Sequence, residues 1–322
     1  MGLPAISIII PVFNAGKYLS ACLDSLALQT FDDYEVVAVD DGSTDSSASI
    51  ITGYAGLDER IRLLQQENKG VSAARNAGIE AARGKYITFV DADDALHPEA
   101  LASMYAALKS ETSAVCITGF VKFSGDYRVD GIRVPRRKVK PESYSYIEAM
   151  KMALYQKRIF NSPWGMMMER RLLSPDKRFR EDTRYEDLDA FYRMYEGLEK
   201  IIYLPFPYYF YRENEESFIN TWSKSRLDVL DVTDRMAEFF SKKYPELERA
   251  ARDRRYSAHF NMLVLLLRHD PRNNDMINRC LEVVKEQRLK ALTDPNVRIK
   301  NKIGALASFG GQKVLRALGK GK

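Results

Sequence analysis

Cysteine is nearly missing from this chain. Three occur in 322 residues, Cys22, Cys116 and Cys280, far apart and each in an apolar context, so neither a disulfide framework nor a thiolate metal site is expected. Buried, inert thiols are the prediction. Histidine is equally scarce: His97, His259 and His269 have no metal-ligand spacing, and any metal used here must be held by oxygen. No apolar run approaches the roughly 20 residues of a bilayer span. The start, Met1-Gly2-Leu3-Pro4-Ala5, lacks a basic region, and Pro11 breaks the Ile-rich stretch that follows; no secretory signal is expected, and a cytoplasmic globular protein is. The G-x-G-x-x-G fingerprint of nicotinamide enzymes is also absent, since Asn14-Ala15-Gly16-Lys17 stands after the first strand pattern. Internal repeats and low-complexity segments are lacking too.

Hydrophobic residues make up 45% of the chain and charged ones 29%, enough for a sizeable core and too apolar for wholesale disorder. The length corresponds to roughly two domain equivalents, or one large α/β domain with an appendage. The formal net charge of +5 is unevenly placed. From Asn296 onward stand Arg298, Lys300, Lys302, Lys313, Arg316, Lys320 and Lys322 with no acid, and taking those seven away leaves the remainder at −2. A basic end on a near-neutral body points to one anionic surface touched by residues 296–322. No nucleic-acid partner is expected, because such a fold spreads basic residues over its working face.

The first 120 residues alternate strand and helix patterns. Ile6 to Val12, Tyr34 to Val39, Ile61 to Leu64, Lys85 to Val90 and Ala114 to Phe123 read as strands, the first nearly all apolar as in a strand buried on both faces. Helix patterns lie between them, with Gly70 to Ala82 Ala-rich and Pro98 to Lys109 the last of the set. This rhythm predicts a mostly parallel sheet flanked by helices. After Ser124 it changes: Gly125 to Pro141 is polar and carries Arg133, Arg136, Arg137, Lys138 and Lys140. Tyr144 to Gln156 reads as helix and Pro163 to Met168 as a short strand. Glu186 to Tyr195 reads as helix, and Ile201 to Arg212 as a strand pair broken by Pro205 and Pro207. From Ser223 on the pattern is helical. The expected division is a nucleotide-binding and catalytic domain over 1–220 and a helical region with a basic amphipathic end over 221–322.

In open α/β sheets ligands bind outside the carboxyl ends of the strands. Two of those ends carry clustered acids, Asp40-Asp41 and Asp91-Ala92-Asp93-Asp94. Loop aspartates often only cap helices, and Asp45 or Asp94 can be read that way. Two carboxylates about 4 Å apart, however, repel by roughly 4 kcal/mol at an effective dielectric of 20. Such a cluster makes sense when a cation occupies it during the working cycle. Mg²⁺ or Mn²⁺ is usually held by one or two carboxylates plus substrate phosphates, which suits a D-x-D at a strand end. Pro11-Val12-Phe13-Asn14 offers an apolar wall for the organic part of such a ligand. Arg75, on a helix opened by small residues, suits base or phosphate oxygens, though taken alone it would more often face solvent.

Together these stretches resemble the nucleotide-binding half of the family 2 inverting glycosyltransferases, which have the GT-A (Rossmann-like) fold. The likeness rests on Ser7-Ile8-Ile9-Ile10-Pro11-Val12-Phe13-Asn14, Val39-Asp40-Asp41-Gly42-Ser43-Thr44-Asp45, Asn68-Lys69-Gly70-Val71-Ser72-Ala73-Ala74-Arg75-Asn76 and Phe89-Val90-Asp91-Ala92-Asp93-Asp94. It covers residues 5 to about 110 and implies a nucleotide-sugar donor, most often a UDP-sugar. On this resemblance Pro11, Phe13 and Asn14 line the nucleotide, Asp40 and Arg75 lie at the base, Asp91 near the ribose, and Asp93 on Mn²⁺ or Mg²⁺. Arg184-Tyr185-Glu186-Asp187-Leu188-Asp189 resembles the family's ED motif, which makes Asp187 the catalytic base, with Asp189 its local competitor. In isolation, Glu186 and Asp187 would be helix N-terminal acids complementing the dipole. Ser162-Pro163-Trp164-Gly165 is similar to the family's tryptophan segment, but Gly165 and the methionines after it depart from the pattern; Trp164 either stacks on a sugar or packs. Tyr209-Phe210-Tyr211-Arg212 with Ser217 resembles the element closing over the donor diphosphate, which gives Arg212 phosphate oxygens or a strand surface.

The implied activity is transfer of one sugar, with inversion, to a hydroxyl of a glycan or lipid-linked acceptor in surface polysaccharide synthesis. The rival classes fare worse. A phosphatase with an aspartate nucleophile needs Thr or Val where Ala95 stands, and a sugar nucleotidyltransferase needs a Gly-rich basic loop after the first strand. A non-catalytic carbohydrate-binding scaffold has no use for a divalent-metal site and a distant carboxylate. The basic end interleaves Ile303, Leu306, Phe309, Val314, Leu315 and Leu318 with its lysines, the pattern of an amphipathic anchor on the inner face of a membrane; Gly310-Gly311 interrupts it, which suits a solvated tail equally.

Overall fold

The computed structural model describes residues 2–125, 140–213 and 222–318. The boundary expected near residue 220, Ser217, and the basic residues from Arg133 to Lys138 lie outside them. The chain forms two compact units. One comprises Met1–Tyr146, Asn161–Asp182 and Glu186–Glu215, the other Ile147–Phe160, Thr183–Tyr185 and Glu216–Lys322.

The first unit is built on one sheet. Strands β1 (Ile6–Val12), β2 (Tyr34–Asp40), β3 (Ile61–Gln65) and β4 (Tyr86–Phe89) alternate with helices α1 (Leu19–Ala27), α2 (Ser47–Ala55) and α3 (Val71–Ala81). There follow β5 (Ala95–Leu96), α4 (Ala100–Glu111), β6 (Val115–Phe123) and β7 (Glu142–Tyr144). Helix α5 (Tyr146–Leu154), which belongs to the second unit from Ile147 on, comes next in the chain, then β8 (Met166–Glu169), α6 (Glu186–Met194) and β9 (Ile201–Arg212) of the first. Among the described residues nine strands join in the order β3-β2-β1-β4-β8-β6-β9-β5, with β7 on β9. The quartet β3-β2-β1-β4 is parallel, as buried βαβ crossovers require. The rest is mixed, because β8 enters antiparallel between β4 and β6.

Every residue of β1 and β2 is buried. Near their starts the polar Ser7 and Glu35 survive because they satisfy each other and a turn: Ser7 Oγ donates to Glu35 Oε1 at 2.7 Å, which also accepts the Arg83 N–H at 2.6 Å. Helix α3 lies so close to β1 that a Cβ on Gly78 would stand 2.3 Å from Ile9 Cγ2. Instead of the expected strand pair broken at two prolines, Ile201 to Arg212 is one strand. Its register on β6 slips around Gly119, which faces Pro207, and the bulge absorbs residues that cannot donate to the ladder.

The second unit is helical. Helices α7 (Asp228–Lys243), α8 (Glu248–His269), α9 (Asn274–Thr293), α10 (Ile299–Ser308) and α11 (Gly311–Leu318) follow in order, and α8 packs against α7, α9 and α11. No described helix is long and apolar enough to cross a membrane.

Two buried groups in this unit pull its stability in opposite directions. Burial raises the Asp253 carboxyl from 3.8 to about 6, against the hydrogen bond from Asn301. Burial also lowers His259 from 6.5 to about 4, against the attraction of Asp234. A raised carboxyl pKa means that stability falls as pH rises through about 4 to 6; a depressed imidazole pKa means that it falls as pH drops from 6.5 to 4. Each effect is bounded at roughly 3 kcal/mol. The wild type should therefore hold a flat urea midpoint across this window. Asp253→Asn should expose a steep acid loss, and an unchanged profile would contradict the pairing.

Candidate active site

In the order β3-β2-β1-β4 the chain leaves β1 toward β2 and later returns to β1's other side, so the switch point lies between β1 and β4. The carboxyl ends of β2 and β4, carrying Asp40 and Asp91, thus flank that of β1 with Pro11 and Val12. The β1 exit is tied to the β2 exit. Asn14, at φ +50°, donates its N–H to Ser43 Oγ at 3.0 Å and accepts the Thr44 N–H at 2.8 Å. Asparagine tolerates that left-handed backbone better than most residues. Pro11 is buried in β1, whereas Phe13 is 52% exposed at its end.

The two adjacent acids of β2 do different work. Asp40 is buried and accepts the Ser43 N–H at 3.1 Å. Asp41 accepts from Gln66 Nε2 at 2.7 Å, from the Lys69 N–H at 2.9 Å and from the Gly70 N–H at 2.8 Å. It clamps the loop that launches α3, a role absent from the sequence reading. Asp45 accepts the Gly16 and Ser47 N–H groups at 2.8 and 2.9 Å, which is loop and cap chemistry.

Helix α3 carries Arg75, which does not face solvent as its helix alone would suggest: it is 4% exposed, with Nη1 donating to Glu186 Oε1 at 2.7 Å and Nη2 to Asp91 Oδ1 at 3.0 Å. Its guanidinium also lies 5.3 Å from the Phe179 ring centroid. Burial works against its charge, but Asp91 and Glu186 more than offset this, and its pKa lies above the ordinary value. Arg75 is therefore the strut between the β4 acid loop and the start of α6. Glu186, which the sequence alone offers only as a helix N-terminal acid, is its second anchor.

The acid loop is tightly built. Asp94 caps no helix; buried, it accepts the Tyr209 hydroxyl at 2.6 Å and the Arg212 N–H at 2.7 Å. Tyr209 in turn accepts the Asp91 N–H at 3.2 Å. Burial, then the charges of Asp91 and Asp93, push the Asp94 carboxyl far up. Asp93 rises to about 6, from burial first and then from Asp91. Arg212 is buried rather than on a strand surface. Its Nε donates to the Asp93 carbonyl at 2.7 Å and its Nη1 to the Gly125 carbonyl, with Tyr18 and Phe123 rings 4.6 and 4.5 Å away.

No group of three or more His, Cys, Asp or Glu side chains suited to a metal occurs among the described residues. The donor set still fits a hard cation. Asp94 is committed to two protein donors and Asp91 to Arg75, while among the described residues no side chain donates to Asp93. One carboxylate completed by diphosphate oxygens is a Mg²⁺ or Mn²⁺ arrangement.

At the start of α6, Asp187 is half-buried, and its Oδ2 accepts from Asn161 Nδ2 at 3.3 Å. Its competitor Asp189 is 1% exposed and held by Arg193 at 2.8 Å and Arg180 at 3.2 Å. Trp164 stacks on Tyr209 with ring centroids 4.5 Å apart and on Tyr211 at 5.3 Å. Gly165, at φ +68°, explains the departure at this point: the turn needs a left-handed residue so that its carbonyl can accept from Thr118, at 2.7 Å from N and 3.2 Å from Oγ1.

A mixed sheet of nine described strands with acids at its switch point, in a chain that also carries a helical unit, is the GT-A type of glycosyltransferase fold. The family model for glycosyl transferase family 2 matches residues 7–175. The chain is 30% identical to glycosyltransferase GlyG of Streptococcus pneumoniae over 253 residues, 77% of this chain and 82% of GlyG. It is also 30% identical to EpsH of Bacillus subtilis, which carries a glycosyltransferase name too, over 228 residues, 70% of this chain and 65% of EpsH. The fold matches the crystal structure of Staphylococcus aureus TarS 1–349 with TM-score 0.68 at 22% identity, covering 98% of this chain and 92% of that one. A further TarS structure, in complex with UDP-GlcNAc, matches equally well. The chain belongs to glycosyl transferase family 2, and with it to the hexosyltransferase-type enzymes.

Proposed function

We propose that this chain is an inverting glycosyltransferase that moves a sugar from a UDP-sugar to a hydroxyl of a glycan or lipid-linked acceptor, in the synthesis of a surface polysaccharide. One observation carries the reading: Arg75 holds Asp91 of the acid loop and Glu186, the neighbour of Asp187, on one buried guanidinium. The donor-side acid loop and the helix start that carries the candidate base are thereby tied to one cation.

Phe13 supplies the exposed apolar wall for the base, with Pro11 and Asn14 shaping the β1 exit beside it and Asp40 the polar floor. Asp91 faces the ribose and Asp93 presents a carboxylate to the divalent ion. When bound, Mg²⁺ or Mn²⁺ would neutralise charge on the departing diphosphate. Arg212, fixed against the Asp93 carbonyl, adds positive charge on the same side. Asp187 takes the proton of the acceptor hydroxyl as its oxygen bonds to the anomeric carbon. The bond to the diphosphate oxygen breaks with its electron pair leaving on the nucleotide, and the configuration inverts.

Calorimetric titration with UDP, with and without Mn²⁺, should show binding that requires the ion and is lost in Asp93→Asn. A hydrolysis screen across UDP-, GDP- and dTDP-sugars should then favour one UDP-sugar. Absence of nucleotide binding under either condition would reject the assignment.

A further inference from the structure

Helix α10 presents its most apolar stripe outward. Its inward residues are Asn301, Gly304, Ala305 and Ser308. Gly304 fixes the rotation, since a Cβ there would meet the Phe260 ring at 2.7 Å, and Asn301 donates to Asp253 at 3.1 Å. On the opposite side Ile299, Ile303 and Leu306 are 77, 56 and 61% exposed. Their spacing of four and three residues places them on one line. Phe309 follows at 52%, with the Arg288 guanidinium 3.9 Å from its ring centroid. Val314 of α11 is 42% exposed. Isolated exposed apolar residues need no explanation, but a stripe on a helix whose rotation is locked by small inward residues is a built surface.

The charge carried by α10 and α11 themselves has one sign. Lys300, Lys313 and Arg316 are exposed and Lys302 half-buried, and the sequence from Arg298 to Lys322 holds seven basic residues and no acidic one. A second copy seated on this face would bring like charges together. An anionic lipid surface takes up both features at once, the apolar stripe at the acyl boundary and the lysines at the headgroups.

We propose that the outward face of α10, continued by Phe309 and Val314, docks on an anionic bilayer. The proposal is independent of the donor and acceptor reading and is tested without turnover. Full-length protein is floated with vesicles of phosphatidylcholine alone or mixed with phosphatidylglycerol, at low and high salt. Binding should require the anionic lipid and weaken with salt. Ile303→Ser/Leu306→Ser and Lys300→Glu/Lys313→Glu, both at exposed positions, should each lower partitioning by about tenfold or more at an unchanged thermal midpoint. Failure to bind anionic vesicles, or wild-type partitioning by both variants, would overturn the proposal. So would light scattering that shows a dimer broken by Ile303→Ser/Leu306→Ser, since the face would then belong to a second copy.

Discussion

Asp187→Asn is expected to cut turnover by about 10²–10⁴-fold, the range for loss of a positioned general base, while UDP affinity stays within a few-fold. Asparagine keeps an oxygen to accept from Asn161, 3.3 Å away in the wild type, and loses the capacity to take a proton. Asp189→Asn is the control. That carboxylate is buried between Arg193 and Arg180, so its replacement should lower the melting temperature and spare the turnover of the folded fraction. Steady-state rates with the preferred donor, normalised to folded protein, separate the two. Near-normal turnover in Asp187→Asn would remove it as the base, and a selective catalytic loss in Asp189→Asn would move the role there.

The sequence made the parallel quartet legible because strands buried on both faces leave a continuous apolar trace, and β1 and β2 have one. It made the acid loops legible because five like charges beside strand ends are costly unless something compensates them. What it hid were the compensations. Arg75 reads as a surface arginine in its own helix, since its partners lie 16 and 111 residues away. Tyr209 and Asp94 pair across 115 residues, so the cap reading of Asp94 was the only local one. The slip at Gly119 depends on the facing strand, and two prolines in β9 therefore looked like a break. In each case the local signal was silent about the distant partner that decides the residue's place.

Arg75 carries the second large expected effect. Its side chain is 5% exposed and that of Glu186 11%. Arg75→Met therefore leaves two carboxylates without their cation, and a stability loss of about 3–5 kcal/mol is expected. Arg75→Lys retains the charge but offers a compact ammonium where a planar fork spans two acceptors, so it should fold better than the Met variant yet still lose catalysis. The discriminating measurement is a double-mutant cycle. Glu186→Gln removes a charge that Arg75 neutralises, so Arg75→Met/Glu186→Gln should be more stable than the sum of single losses allows, by about 1–3 kcal/mol. Additive losses would mean that the contact is incidental. A cycle on kcat with Asp91→Asn adds what folding alone cannot report. If the strut sets the position of Asp187 relative to the acid loop, removing either anchor should depress kcat more than UDP affinity, and the two losses should not multiply.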